Sequence, residues 1–257
     1  MCTLAIYFQV VPGYPAIVAA NRDEYFARPA AAPILLSDKP RIVAGKDLRA
    51  GGTWLGVNEH GLIAGLLNRR AERADPRLRS RGLLCLDALR SANVSAALQL
   101  LSTLHGADYN PFNLLVATRH EAAVAYNRAG DGIECVKLKP GVHLLTNLDV
   151  NDFECPKISR SYERFAALAA DREFTLDPVG QRDKLRALLA DHATPLDPRS
   201  SAPNAICLHL DGYGTRSSSL LFLGDDPART LHFFAPGPPC EVAYEPALVP
   251  TASVAGC

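Results

Sequence analysis

The chain has 257 residues, 48% of them hydrophobic and 21% charged, values that exclude wholesale disorder. Lys and Arg number 27 against 27 Asp and Glu. The resulting zero net charge argues against a protein built mainly to grip nucleic acid or an anionic membrane.

The first twenty residues read as a β-hairpin, with strand-forming residues over 3–11, a Pro-Gly-Tyr-Pro turn and a second apolar run over 16–20. A polar, proline-marked loop is expected over 21–40. Strands follow at 53–58 and 61–68, joined by Asn58-Glu59-His60-Gly61. The segment 69–81 carries six Arg and two acids and is broken by Pro76, so it reads as a solvated loop or a lid. Helices are predicted over 83–90 and after Asn93, a suitable N-cap.

Strands are then expected at 113–118, 122–127, 133–138 and 142–146. Helices follow at 157–170 and 178–190, the latter with Leu185, Leu188 and Leu189 on one face. The last strands are predicted at 205–210, 218–223 and 230–234, before a proline-rich extended tail. Strands gather toward both ends with helix pairs between them, which favours two antiparallel sheets covered by helices over a parallel βαβ sheet. With no internal repeat or linker, a single domain over 1–257 is expected.

No stretch approaches the ~20 uninterrupted apolar residues of a membrane helix. The first Arg is Arg22, behind an apolar segment interrupted by Gln9, Pro12, Gly13 and Pro15, which does not match a secretory signal. A cytoplasmic protein is the expectation. The seven cysteines are an odd number with no Cys-x-x-Cys, and the seven histidines contain no His-x-x-x-His. Neither a disulfide framework nor a metal site is therefore expected.

The residues that point to chemistry begin with Cys2. Removal of Met1 would leave a cysteine whose thiol sits beside its own α-amine, joining nucleophile and general base in one residue. Position alone leaves open an inert buried thiol. Immediately after the second strand stand Asn21-Arg22-Asp23-Glu24. A hairpin would bring the end of strand two beside the start of strand one, and so Arg22 and Asp23 beside Cys2. Arg22 would favour the thiolate, and Asp23 would hold the amine. A solvated loop with local ion pairs is the alternative.

Cys2 and the Asn-Arg-Asp-Glu tetrapeptide resemble the NRDE, or transport and Golgi organisation 2, family. The segments 51–68, 80–82, 109–116, 143–147 and 213–222 are similar to that family too, in order along almost the whole chain. The resemblance implies an N-terminal-nucleophile hydrolase fold, an α+β four-layer αββα sandwich of two antiparallel sheets flanked by helices. It also implies a likeness to the cysteine amidases that cleave penicillin V and bile-acid conjugates. By that likeness Cys2 is the nucleophile, Arg22 and Asp23 its neighbours, Asn147 and Asn68 the oxyanion donors, and Arg216 the late arginine. One departure stands out. Arg22 and Asp23 are adjacent here, whereas the amidases separate them by two residues. Adjacent side chains diverge on a strand, which brings in Glu24 as a substitute for holding the amine.

Asn21, Glu24, Trp54, Arg69 and Arg70 complete the candidates as substrate contacts, although a lone Trp also reads as a core anchor. The arginine bias, 21 of the 27 basic residues, suggests a small anionic ligand. Two functions follow from the resemblance: hydrolysis of a linear amide or thioester of a small acylated molecule, or a carrier role for haem, lipid or acyl-CoA. No cofactor is required for the first, and haem is a candidate ligand for the second.

Overall fold

The computed structural model describes residues 2–69, 74–128, 130, 132–194 and 204–250. The opening hairpin is β1 (Thr3–Phe8) and β2 (Ala16–Tyr25), turned through Gly13 at φ 77°. Sheet B then forms from β3 (Ala30–Asp38), β4 (Arg41–Asp47), β5 (Leu55–Asn58), β6 (Ile63–Asn68), β7 (Phe112–Ala117), β8 (Ala122–Asn127) and β9 (Glu134–Lys137), in that order. Between β6 and β7 lie α1 (Arg81–Ala88) and α2 (Val94–Ser102). Sheet A returns with β10 (Gly141–Leu145). After α3 (Pro156–Ala170), α4 (Arg172–Leu176) and α5 (Arg182–Leu189) come β11 (His209–Leu210), β12 (Tyr213–Leu223), β13 (Leu231–Ala235) and β14 (Glu245–Ala247). Its order is β10-β1-β2-β12-β13-β14, with β11 also on β12.

Among the described residues every pairing between these strands is antiparallel. Three apolar clusters separate four layers. Ala5, Tyr7, Ile17 and Ala19 pack against Phe165, Phe174 and Leu189 of the α3–α5 layer. The alternate residues Leu4, Ile6, Phe8 and Val18 meet Leu55, Val57 and Ile63 of the other sheet. Ile42, Ala64 and Leu114 on the far face of sheet B bury Leu84, Cys85 and Leu101 of α1 and α2. The architecture is the expected αββα sandwich. None of the described helices is long and apolar enough to cross a membrane.

Several boundaries differ from the sequence reading. Residues 21–25 continue β2 instead of starting a loop, because β1 and β12 pair with it on both sides (Thr3 opposite Asn21, Thr215 opposite Asp23). The expected loop over 26–40 contains β3, whose Pro33 and two register shifts suit an edge strand. β12 begins five residues before the predicted 218, and β14 lies in the expected extended tail. The Asn93 cap was legible, since its side chain accepts from the Ala96 N–H at 2.8 Å.

A backbone crossing fixes the segment that carries Trp54. The Thr53 N–H donates to the Gly82 carbonyl at 3.0 Å, and a Cβ at Gly52 would fall 2.1 Å from the Gly82 carbonyl carbon. Gly52→Ala must therefore push two main chains apart. It is expected to lower stability by about 1–3 kcal/mol, read from the urea unfolding midpoint.

Candidate functional site

The open end of the sandwich, where β1 starts and β2 ends, holds a cleft of about 230 Å³. Its lining includes Cys2, Arg22, Asp23, Glu24, Trp54 and Asn68, six of the residues named from the sequence. The hairpin register explains the first four. It brings the Cys2 sulfur within 3.3 Å of the Asp23 N–H and 3.5 Å of the Asp23 carbonyl. Asn68 is the exposed last residue of β6 on the opposite sheet.

Side-chain alternation divides the tetrapeptide between the two faces of sheet A. Arg22 faces sheet B, its guanidinium 4.3 Å from the Trp54 ring centroid. Stacked in this way, a largely buried cation keeps a favourable partner without water. Asp23 faces the helical layer, where its Oδ1 accepts from Thr215 Oγ1 at 2.7 Å. Asn21 lies on that same face. Its amide donates to the carbonyls of Leu189 and Ile206 at 2.8 and 3.0 Å, and its oxygen accepts from Ser218 Oγ at 2.6 Å. These bonds tie β2 to the end of α5.

Asn147 is buried just beyond β10, and the β1–β10 register, continued by two residues, sets it opposite Cys2. It is not among the residues lining the cleft. Arg69 lies outside the cleft as well. It donates to Asn113 Oδ1 at 3.1 Å and pairs with Asp149 at 2.6 Å. Asn113 in turn donates to the Thr146 and Leu148 carbonyls at 2.9 and 2.6 Å. Arg69 and Asn113 thus hold the turn that carries Asn147. Arg70 lies outside the described residues, as does Cys257. Arg216 is the bulged residue of β12, between Thr215 and Ser217. It lines a separate crevice of about 120 Å³ that shares Arg22 and Trp54 as walls.

The cleft also takes in residues not singled out from the sequence, Arg28 and Asp47, and the end of the segment read as a loop or lid, Ser80 and Arg81. Arg28 pairs with Asp47 at 2.5 Å and with Glu24 at 3.4 Å, and Glu24 lies 4.0 Å from Arg22. Burial acts to raise the Asp47 carboxyl, but Arg28 and the N–H groups of Arg49 and Ala50 together hold it below its usual range. Arg81 donates to the Pro111 carbonyl at 2.8 Å and has no carboxylate partner among the described residues. Burial, followed by the nearby Arg28, works against its charge. Lys157, in the first turn of α3, is fully buried with Nζ 3.2 Å from Thr3 Oγ1. Burial pushes this ammonium down, while the Asp23 carboxylate favours its charge. A lysine at a helix start reads from sequence as a surface residue. No local signal marks this one.

Burial pushes the Cys2 thiol above its ordinary value, and the Asp23 carboxylate adds to the rise. The Asp23 N–H and the Arg22 cation act in the opposite direction without prevailing. Arg22 thus acts in the direction expected from the sequence, favouring the thiolate, but burial outweighs it.

Comparison with known proteins identifies the family and the fold. A sequence model of the transport and Golgi organisation 2 family matches residues 1–234. The chain belongs to that family. It is 28% identical to the human transport and Golgi organization protein 2 homolog, over 88% of this chain and 90% of that protein. The Bos taurus homolog is 27% identical over the same shares. Among solved structures, the chain is similar to a conjugated bile acid hydrolase from Clostridium perfringens (TM-score 0.54, 11% identity, 98% of each chain). It is also similar to the Caenorhabditis elegans N-acylethanolamine-hydrolyzing acid amidase ortholog (TM-score 0.56, 11% identity, 88% of this chain and 95% of that one). At such identity the likeness shows an N-terminal-nucleophile hydrolase-like fold, which this family member shares.

The balance of charges around Cys2 sets the sign of a pH test. Iodoacetamide alkylation of the Cys2 peptide, followed by mass spectrometry, is expected to keep rising with pH beyond the ordinary thiol range. Arg22→Leu removes a favourable cation and shifts that profile further upward, giving several-fold slower alkylation at pH 8.

Proposed function

We propose that the cleft binds a small acylated molecule bearing an anionic group and that Cys2 attacks its carbonyl. The observation carrying this reading is that Cys2, Arg22, Arg81, Trp54 and Asn68 line one cleft. The mechanism requires removal of Met1. The Cys2 α-amine then takes the thiol proton as sulfur bonds to the carbonyl carbon. The same proton passes to the leaving amine or thiol as the acyl bond breaks. Water cleaves the thioester, releasing a carboxylic acid and restoring the thiol.

The raised thiol value fits a proton that leaves only as the bond forms, with the Asp23 N–H at 3.3 Å ready to stabilise developing charge on sulfur. Asn68 offers the oxyanion donor on the cleft wall. Loss of one such donor costs about 10²–10³ in rate. Arg81, lacking a carboxylate partner among the described residues, is the side chain suited to the substrate's anionic group. Haem mobilisation has weaker support. The cleft, at about 230 Å³, is smaller than the roughly 300–1,000 Å³ of common ligand sites. None of the described residues lining it is a histidine.

The test uses purified protein whose intact mass shows Met1 removed, treated with the p-nitrophenyl monoester of a short dicarboxylic acid. A burst of nitrophenolate and a hydroxylamine-sensitive acyl adduct on Cys2 are expected. Cys2→Ala should abolish both, and Arg81→Met should raise the half-saturating ester concentration by about tenfold. Retained Met1 would sink the α-amine mechanism. Absence of an adduct, with a haem Soret shift that survives Cys2→Ala, would favour the carrier.

A further inference from the structure

Away from the cleft, three segments at the edge of sheet A bring two cysteines and two histidines to one point. His192 follows α5, Cys207 lies two residues before β11, His209 opens β11, and Cys240 lies in the turn beyond β13. One ligand atom from each lies within 4.8 Å of the other three. Cys207 Sγ is 3.6 Å from Cys240 Sγ and 3.7 Å from His209 Nε2, and that nitrogen is 3.2 Å from Cys240 Sγ.

These separations have a chemical meaning. Zinc bonds of about 2.3 Å to sulfur and 2.0–2.1 Å to nitrogen, arranged tetrahedrally, set two sulfurs about 3.8 Å apart and sulfur from nitrogen about 3.5 Å apart. The three distances among Cys207, His209 and Cys240 lie within about 0.3 Å of those values, and the His192 ligand atom lies within 4.8 Å of each of them. The second nitrogen of His209, Nδ1, faces Glu241 Oε1 at 3.6 Å. A carboxylate behind a histidine is the partner that orients a ligating imidazole and raises its basicity. The His192 ring lies beside that of His209, with centroids 5.0 Å apart and the planes tilted by 44°.

We propose that His192, Cys207, His209 and Cys240 bind one zinc(II) ion as a closed structural site. Two thiolates and two imidazoles form a borderline-soft donor set suited to zinc, and four protein ligands leave no open position for catalysis. Binding releases the two thiol protons to solvent. A disulfide between Cys207 and Cys240 would account for the sulfurs alone, not for the imidazole nitrogen that converges on both.

The ion would brace the chain next to the cleft. The Ile206 carbonyl accepts from Asn21, and the Leu208 N–H donates to Thr215 Oγ1 at 2.9 Å, which itself donates to Asp23. The Cys207 N–H is bonded to the Asp191 carbonyl at 2.9 Å, beside His192. Motif spacing hid the site, because its ligands come from positions 192, 207, 209 and 240 and meet only after β12 and β13 have paired.

The test titrates the reduced, chelator-treated full chain with cobalt(II) and then zinc(II). One equivalent of cobalt is expected to give tetrahedral d–d bands and a thiolate-to-cobalt charge-transfer band, both bleached by zinc. Cys240→Ser and the exposed His192→Ala should each weaken zinc binding by about 100-fold or more. Cys135→Ser, an exposed cysteine elsewhere, should leave binding unchanged. A cobalt spectrum without the thiolate band, or one insensitive to both ligand variants, overturns the proposal. So does a chain isolated with Cys207 linked to Cys240 whose reduced form takes up no zinc.

Discussion

The end of β2 must satisfy two chemically different faces at once, and the site depends on how it does so. A strand in the middle of a sandwich has one face on the other sheet and one on the helices. Four consecutive polar residues there would leave buried groups unpaired unless each face answered them. Sheet B supplies the Trp54 ring for Arg22. On the helical side, Leu189, Ile206 and Ser218 serve Asn21, and Thr215 serves Asp23. With those partners in place, β2 stays extended through Tyr25 and its main chain remains in reach of the Cys2 sulfur.

The cleft that results is organised rather than uniformly basic. Glu24 and Asp47 occupy Arg28, so part of the positive charge at the cleft is neutralised by local pairs. What remains for a ligand is a stacked Arg22, an Arg81 bonded only to a carbonyl among its described partners, and a half-buried thiol. The fold likeness to amide-cleaving enzymes describes the scaffold. Activity has to be argued from these side chains, since one fold hosts many chemistries.

Much of this was legible before folding. Short apolar runs rich in strand-forming residues marked β1, β6, β7 and β8, and the Asn93 cap marked α2, because burial and capping leave local patterns. The strand over 30–38 escaped because an exposed edge strand with a proline lacks that pattern. The polar extension of β2 escaped for a related reason. Its partners on the helical face lie more than 160 residues away in sequence, at Leu189, Ile206, Thr215 and Ser218. Arg69 looked like a ligand contact because it follows Asn68, yet its ion pair with Asp149 and its bond to Asn113 turn it toward the Asn147 turn.

The sequence by itself determined the alternation of layers, the hairpin that opens the chain and the singling out of Cys2 with its tetrapeptide, since all of these rest on near-neighbour patterns. It also determined a net charge of zero, which bears on classes of partner without locating any charge. Only the tertiary structure decided that Arg22 stacks on Trp54, that Asp23 turns to the helical layer, and that burial pushes the Cys2 thiol up. It also brought Lys157 under the hairpin and four scattered zinc-type ligands to one point. The physical reason is common to these cases. Desolvation, ion pairing and ligand geometry depend on distances across the sandwich, and those distances are not encoded in any single window of the chain.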